Sequence, residues 1–374
     1  MCFTAIKMLL HNKTRSVVTV GGITIAFFLS VAQVGLLVGW CNTNSAIICH
    51  AGVDVWVMAQ QTPAFDYGTG IPKHRIHQVR TVPGVAWAQG MFMGWNYWQR
   101  PDGRRVNIEM IGLDEDCVGG PWKMQTGTVS AVQVPQRVIV DQFYVEDLGV
   151  TGVGDEVEIL GTRAVVGAIS TKVRTFTAAP WVFTSLESAL KYDRRTDGDQ
   201  ITYVLVRCEP GHPPEAVRDA INTSVPGIEA LTTSEFSIRT IRYWMLETGI
   251  GITVVVTAVL GLVVGTVIVS QTLYAITNDH LSDYATLLAI GFSRFKLLVI
   301  IVIQATCLGA VGICLGSTLF GYASTLSAET SIPLETTPLI FAGVVATTLL
   351  SCVAASAVSI HSVFRIDPIV VFRA

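Results

Sequence analysis

The sequence predicts an integral membrane α-helical protein, with four transmembrane helices and a large α+β extracytoplasmic domain inserted between helices 1 and 2. Three observations predict it. Of the 374 residues, 51% are apolar and only 14% charged, against roughly 25% charged in soluble domains, and mean hydropathy is +0.52. Four runs without Asp, Glu, Lys or Arg, at 17–40, 248–276, 297–328 and 336–360, each exceed the ~20 residues with which a helix crosses a bilayer. About 200 residues of mixed pattern separate the first run from the second. This composition excludes a disordered chain and argues against an ordinary cytosolic enzyme. The net charge of -3 and pI near 6.2 give no reason to expect nucleic acid as a partner.

The first run is too apolar for too long to be a signal peptide, whose core is about 7–15 residues, and no small-x-small cleavage site follows it. Before it stand Lys7, Lys13 and Arg15 without an acid; Arg365 and Arg373 follow the fourth run. The short loop between the third and fourth runs holds Glu329 and Glu335 and no base. Basic residues stay on the cytoplasmic side of short loops, which places both termini inside, 41–247 outside and 277–296 inside. The chain then divides into an amphipathic start with span 1 (1–41), an extracytoplasmic, periplasmic domain (42–243) and span 2 (244–276). A short cytoplasmic helix (277–296), span 3 (297–328), a short outer loop (329–335), span 4 (336–363) and a cytoplasmic tail (364–374) complete it. These flanks predict a multi-pass membrane protein.

Within the outer domain, 53–58 reads as a strand and 72–82 as a short amphipathic helix stopped by Pro83-Gly84. Alternation in 91–98 and 105–112 around Pro101-Asp102-Gly103 predicts a hairpin. Further strands are expected at 137–141, 156–160 and 164–169, and a strand–helix–strand unit at 201–207, 214–223 and 228–231. Met91, Phe92, Met93, Trp95, Tyr97 and Trp98 suit either a lipid- or partner-binding surface or a strand with one face in the core and Trp tips at its rim. The second is the commoner use of such a stretch. His74 and His77 are three apart, which fits a solvated helix face better than a metal site. No metal is expected. Cys49, Cys117 and Cys208 allow a disulfide without requiring one; Cys2, Cys307, Cys314 and Cys352 fall in or beside spans, with Cys41 at the outer border. No GxSxG, HExxH or paired carboxylates form a catalytic frame, so no catalytic residue is assigned.

Glycine pairs Gly35/Gly39, Gly261/Gly265 and Gly312/Gly316 are spaced for close helix packing or dimer contact. No Asp, Glu, Lys or Arg lies mid-span, which argues against proton- or ion-coupled carriage. In 278–292, Leu281, Tyr284, Ala285 and Leu288 form an apolar stripe at helical spacing, with Asn278 or Asp279 as start and Gly291 as stop, Phe292 folding back. A mere connector between spans would account for the stripe alone.

Leu287-Leu288-Ala289-Ile290-Gly291 resembles the motif that follows the second span in the FtsX/MacB-like permease superfamily. The stretch 267–274, then Asp279-His280-Leu281 and Tyr284-Ala285-Thr286-Leu287, resembles more closely the DevC-type permeases of heterocyst-glycolipid exporters. Asn12-Lys13-Thr14-Arg15, the outer segment 138–154 and the tail's Asp367-Pro368 are similar to further parts of that family, so the likeness spans nearly the whole chain. It implies a non-catalytic permease subunit of a type VII, mechanotransmission ABC exporter. Asp279, His280, Leu281, Asp283, Tyr284, Ala285, Leu287, Leu288, Ile290, Gly291 and Phe292 would then form the ATPase-coupling helix. Implied partners are an ABC ATPase that holds ATP and Mg, a second permease copy, a membrane-fusion adaptor, a TolC-like outer-membrane channel and membrane lipid. Leu288 stands where the family often has a basic residue, which alters the docking surface. The chain has no GxxxxGK[ST] loop of its own, so it binds no nucleotide in that way and takes no cofactor. The exported substrate is expected to be a lipid or other amphiphile. Competing readings are a lipoprotein-releasing or non-transporting FtsX-like relay and a transmembrane sensor. The sensor is disfavoured because the inner loop and tails are too short for a signalling domain.

Overall fold

The computed structural model describes residues 13–177, 179–193, 198–279, 286 and 290–364. The chain divides into two compact units, with breaks at Gly39/Trp40 and Gly251/Ile252.

The unit from Trp40 to Gly251 is built on one ten-stranded mixed sheet. Its strands are β1 (Val55–Ala59), β3 (Val85–Gln99), β4 (Arg105–Leu113), β5 (Met124–Thr126), β6 (Arg137–Asp141), β7 (Glu156–Ile159), β8 (Thr162–Ser170), β9 (Trp181–Ser185), β11 (Tyr203–Cys208) and β12 (Ile228–Thr232). They run in the order β12-β1-β11-β3-β4-β9-β6-β8-β5, with β7 against β3 and β8. A separate ladder pairs β2 (Ile71–Pro72) with β10 (Gln200–Ile201). The expected hairpin forms as β3–β4, in register from Met91↔Leu113 to Gln99↔Arg105. Its turn is closed by Asp102 Oδ1, which accepts from the Arg104 amide at 3.0 Å, and by Gly103 at φ +86°.

Both sheet faces are covered, which explains why β1 and β11 read as continuous apolar runs. Short helices α2 (Arg75–Arg80), α4 (Leu186–Tyr192) and α5 (Pro214–Ser224) bring Ile76, Leu186, Ala189, Val217 and Ile221 onto Val55, Val204, Phe92 and Met110. Gly112 is a requirement of that packing, because an added Cβ would come 2.5 Å from the Ala189 Cβ. On the other face Ile47, Ile48, Phe65 and Phe236 close over Trp56, Met91, Met93, Tyr203 and Leu205. Ser185 caps α4, Pro214 opens α5, and a capping box of Thr232 and Glu235 starts α6 (Thr233–Arg242). A one-turn α3 (Val145–Leu148) ends on Gly149 at φ +67°.

The second unit contains helices α7 (Ile250–Asp279, entering it at Ile252), α8 (Arg294–Ser327) and α9 (Pro338–Phe364), packed with α1 (Lys13–His50) up to its Gly39. These four helices are long and apolar enough to cross a membrane. One core joins Ile23 and Ala26 of α1 to Val269, Leu308, Cys352 and Ala355; a second joins Phe27 and Val31 to Ile313, Phe320 and Val344.

Several boundaries differ from the sequence reading. Helix α1 continues through His50, past the expected end near residue 41, because Cys41–Cys49 contains neither Gly nor Pro to stop it. The helix expected over 72–82 is confined to Arg75–Arg80, since Ile71–Pro72 pairs as a strand. A π-turn over Tyr243–Glu247 and Gly249 at φ +76° precede α7, where an uninterrupted span from 244 was expected. Strand β9 and helices α4 and α6 lie in stretches given no element. The described cysteines are free thiols, and no group of His, Cys, Asp and Glu among the described residues could hold a metal.

Candidate functional site

Of the expected coupling helix, His280, Leu281, Asp283, Tyr284, Ala285, Leu287 and Leu288 lie outside the described residues, as do Asp367 and Pro368. What is described frames that segment. Helix α7 carries the chain to Asp279, Ile290 donates its amide to the Thr286 carbonyl at 3.1 Å, and Gly291 takes φ +97°. That left-handed conformation ends a helical turn at little expense only for glycine. Ser293 then caps α8 by accepting from the Lys296 amide, while Lys296 Nζ stands 5.9 Å over the Phe292 ring. Ile290 and Phe295 are exposed apolar residues beside this turn.

The six bundle glycines all lie at close approaches within one chain. A Cβ at Gly261 would meet Gln33 at 2.9 Å, and one at Gly265 would meet Ser30 Oγ at 2.7 Å and the Ala26 carbonyl at 3.1 Å. At Gly312 it would meet Ile23 at 2.6 Å, and at Gly316 Phe27 at 2.7 Å. Gly35 faces Phe320 and the Glu335 carbonyl, and Gly39 abuts the Pro333 carbonyl. Helix α1 is thus the hub that α7 and α8 approach through small residues. Beside Gly265, Ser30, Thr266, Thr348 and Ser351 surround a cavity of only about 10 Å³, which is about one water's room and no conduit.

The other polar concentration is a buried joint in the α+β unit. Glu109 of β4 is fully buried; its Oε1 accepts from Thr177 Oγ1 and its Oε2 from Trp181 Nε1, both at 2.7 Å. Its carboxyl also meets that of Asp66, itself 4% exposed. Asp66 Oδ2 accepts from Trp244 Nε1 at 2.8 Å. Burial, and then each other's charge in the case of Glu109, pushes Glu109 well above the usual carboxylate range; burial lifts Asp66 to about 6. Trp244 belongs to the π-turn that leads to α7. Phe176 packs edge-on against it, with centroids 4.7 Å apart, and against Trp40 of α1, 5.9 Å apart. The chain segments that leave this unit toward α7 and α1 are therefore bridged by an aromatic relay anchored on two carboxyls.

A model of the MacB-like periplasmic core domain matches residues 16–224, more than half of the chain, and a model of the FtsX-like permease C-terminal domain matches 255–368. This chain belongs to the MacB/FtsX-like permease family. Among solved structures, the permease is similar to the extracellular domain of the noncanonic ABC-type transporter YknZ from Gram-positive bacteria (12% identity, 48% of this chain, 98% of that one, TM-score 0.35). It is similar also to the periplasmic region of MacB from Actinobacillus actinomycetemcomitans (8% identity, 49% of this chain, 90% of that one, TM-score 0.37). No curated protein matches it. Membership implies a membrane-embedded permease subunit of an ABC system, served by an ABC ATPase.

Sequence reasoning missed the permease's buried joint. Glu109 interrupts an apolar strand, Ile108–Met110–Ile111, and a charge in such a run was the available signal. Asp66 and Trp244 lie 178 residues apart, and no local pattern links them. The aromatic stretch of β3 is largely core: Met91, Phe92, Met93 and Trp98 are buried, while Trp95 and Tyr97 are the exposed tips.

Proposed function

We propose that this permease is the membrane subunit of an ATP-driven exporter of the type VII, mechanotransmission kind, nearest to the DevC type, moving a lipid or other amphiphile. The observation that carries this reading is the presence, in one chain, of the FtsX-like membrane segment and the MacB-like domain. In this reading two copies form a homodimer in the bacterial inner membrane with both termini cytoplasmic, and the α+β unit is periplasmic. An adaptor and a TolC-like outer-membrane channel complete the path, and ATP with Mg stays on the ATPase. Helix α1 supports a lever role: its 38 residues at 1.5 Å each reach about 57 Å, nearly twice the ~30 Å hydrocarbon core. The apolar exposed face of α7, with Val256, Val259, Leu260, Val263 and Val267, suits lipid or the second copy.

ATP-driven closure of the ATPase would press on the 278–292 segment and be relayed outward by helix tilt. Tyr284→Asp and Leu288→Asp put a charge on its apolar stripe; each should leave ATP hydrolysis running while export of amphiphile falls at least tenfold. Export at the normal rate in both variants would refute the coupling role. Purification of the intact membrane complex, with mass spectrometry of proteins and lipids, should recover an ATPase with an adaptor. An ATPase recovered with cell-wall hydrolase regulators and no adaptor would favour the relay reading.

A further inference from the structure

The Asp66–Glu109 pair has no part in that reading, yet it is the least expected feature of the α+β unit. Two carboxyls touch in a buried site, and among the described residues no Lys, Arg or His pairs with either. Two bare carboxylates in such a place repel strongly, whereas one shared proton turns the contact into a charge-assisted hydrogen bond. The donors around them are neutral and fixed: Trp244 Nε1 on Asp66, and Thr177 Oγ1 and Trp181 Nε1 on Glu109.

Glu109 is fully buried and Asp66 is 4% exposed, and Asp66 lines a cavity of about 240 Å³ together with Phe92, Trp95, Asp193, Gln200 and Thr202. Trp244 is held by Asp66 and packed edge-on with Phe176, at the π-turn whose chain continues through Gly249 into α7.

We propose that Asp66 and Glu109 form a proton-operated latch on Trp244, closed while the pair keeps a shared proton and released when that proton leaves through the cavity. The balance is simple. The carboxylic acid gives its proton to cavity water, leaving two carboxylates and a hydronium ion. Relief of their repulsion requires water, which enters as the Trp244 indole swings away. Since the closed state holds its proton more tightly than an opened, hydrated one, linkage makes closure favoured by acid and opening by base. The other titratable groups facing the pair are Tyr67 and Tyr203, both pushed above the ordinary phenol range first by burial, and Asp193 across the cavity. Tyr243 packs against Tyr67 and Trp244, and Tyr144 is pushed to about 12 by burial. The phenols with raised values stay neutral where the carboxyls titrate, and Arg174 acts on Asp141 and Tyr144 instead.

The test is hydrogen exchange at the Tyr243–Glu247 amides of the full-length chain in lipid nanodiscs, divided by the intrinsic chemical rate at each pH. Opening of the π-turn in the wild type should grow from about pH 6 to about pH 9, by up to about tenfold per pH unit while one proton is lost. Glu109→Gln and Asp66→Asn, which keep the shape without the titration, should flatten that dependence. A pH-independent wild type, or the same slope in Glu109→Gln, overturns the latch. Should either variant fail to fold, infrared difference spectra of the wild type between the same limits decide. A protonated-carboxyl C=O band that fades with rising pH supports the latch, and its absence overturns it. Neither readout needs the ATPase or the cargo, so failure of the latch and failure of the transport reading are distinguishable.

Discussion

Gly265 of α7 faces Ser30 of α1 so closely that a Cβ would come 2.7 Å from the Ser30 Oγ and 3.1 Å from the Ala26 carbonyl. Gly316 of α8 makes the same kind of approach to Phe27 and the Thr24 carbonyl, at 2.7 and 3.0 Å. With backbone as one neighbour, neither contact can yield by a rotamer change alone. Gly265→Ile and Gly316→Ile should each lower the stability of the bundle by about 1–3 kcal/mol through overpacking. Gly321 and Gly343 meet nothing within 4 Å, and Ile there should be nearly neutral. Thermal unfolding of the full chain in detergent gives the comparison, and equal effects at all four sites would refute the packing role.

Asp141 closes β6 and organises the loop after β8. Its Oδ1 accepts from the Phe143 amide at 3.0 Å, and its Oδ2 from the Val173 amide at 2.9 Å and Ser170 Oγ at 3.0 Å. Truncation takes the acceptor from the buried Val173 amide and Ser170 hydroxyl and from the half-buried Phe143 amide, at about 1–3 kcal/mol for each buried group. Asp141→Ala should therefore destabilise by about 2–5 kcal/mol. Asp141→Asn keeps one accepting oxygen and should cost less, and a reversed order in chemical unfolding would contradict this arrangement.

Thr232 and Glu235 satisfy each other's backbone amides at the start of α6, at 3.2 Å and 2.9 Å. Helix α6 brings Phe236 into the core around Trp56, Met91 and Tyr203 and runs on into the π-turn. Loss of the cap in Thr232→Ala should cost about 1 kcal/mol and speed amide exchange in the first turn of α6 before it affects β1. Exchange unchanged in that turn would show that the cap contributes nothing.

Elements with a strong local signal were legible in the sequence. The hairpin was given by alternation around Pro101-Asp102-Gly103, and the apolar helices by runs that lack any charge. Boundaries were less legible where tertiary contacts set them. Nothing local ends α1 at residue 41, and Trp40, Ile47 and Ile48 are buried in an α+β unit that a scan of local pattern does not see. Strand β9 was passed over because Trp181–Ser185 is too short to show a period, and its place comes from parallel pairing with β4, 72 residues earlier at Glu109↔Trp181. The bundle glycines were chosen by spacing alone, which could not say that their partners are Ile23, Ala26, Phe27 and Ser30 of the same chain.

The buried carboxyls also set the pH dependence of global stability. A carboxyl buried at Asp66 or Glu109 titrates above its unfolded value of about 3.9 or 4.3. Between those limits the folded chain carries a proton that the unfolded chain has lost, so unfolding releases protons and stability falls as pH rises. The stabilisation is fully present below about pH 4 and is withdrawn as Asp66 ionises near 6 and Glu109 above its ordinary range. Glu229, held below the usual range first by its hydrogen bonds from Arg239, acts in the opposite sense and is common to wild type and variant. The quantity to measure is therefore the difference in unfolding midpoint between the wild type and the Asp66→Asn/Glu109→Gln double variant. That difference should favour the wild type most at about pH 4 and shrink or reverse by about pH 8; a wild-type advantage that grows with pH would mean the carboxyls are stabilised as anions and would contradict their burial as a proton-sharing pair.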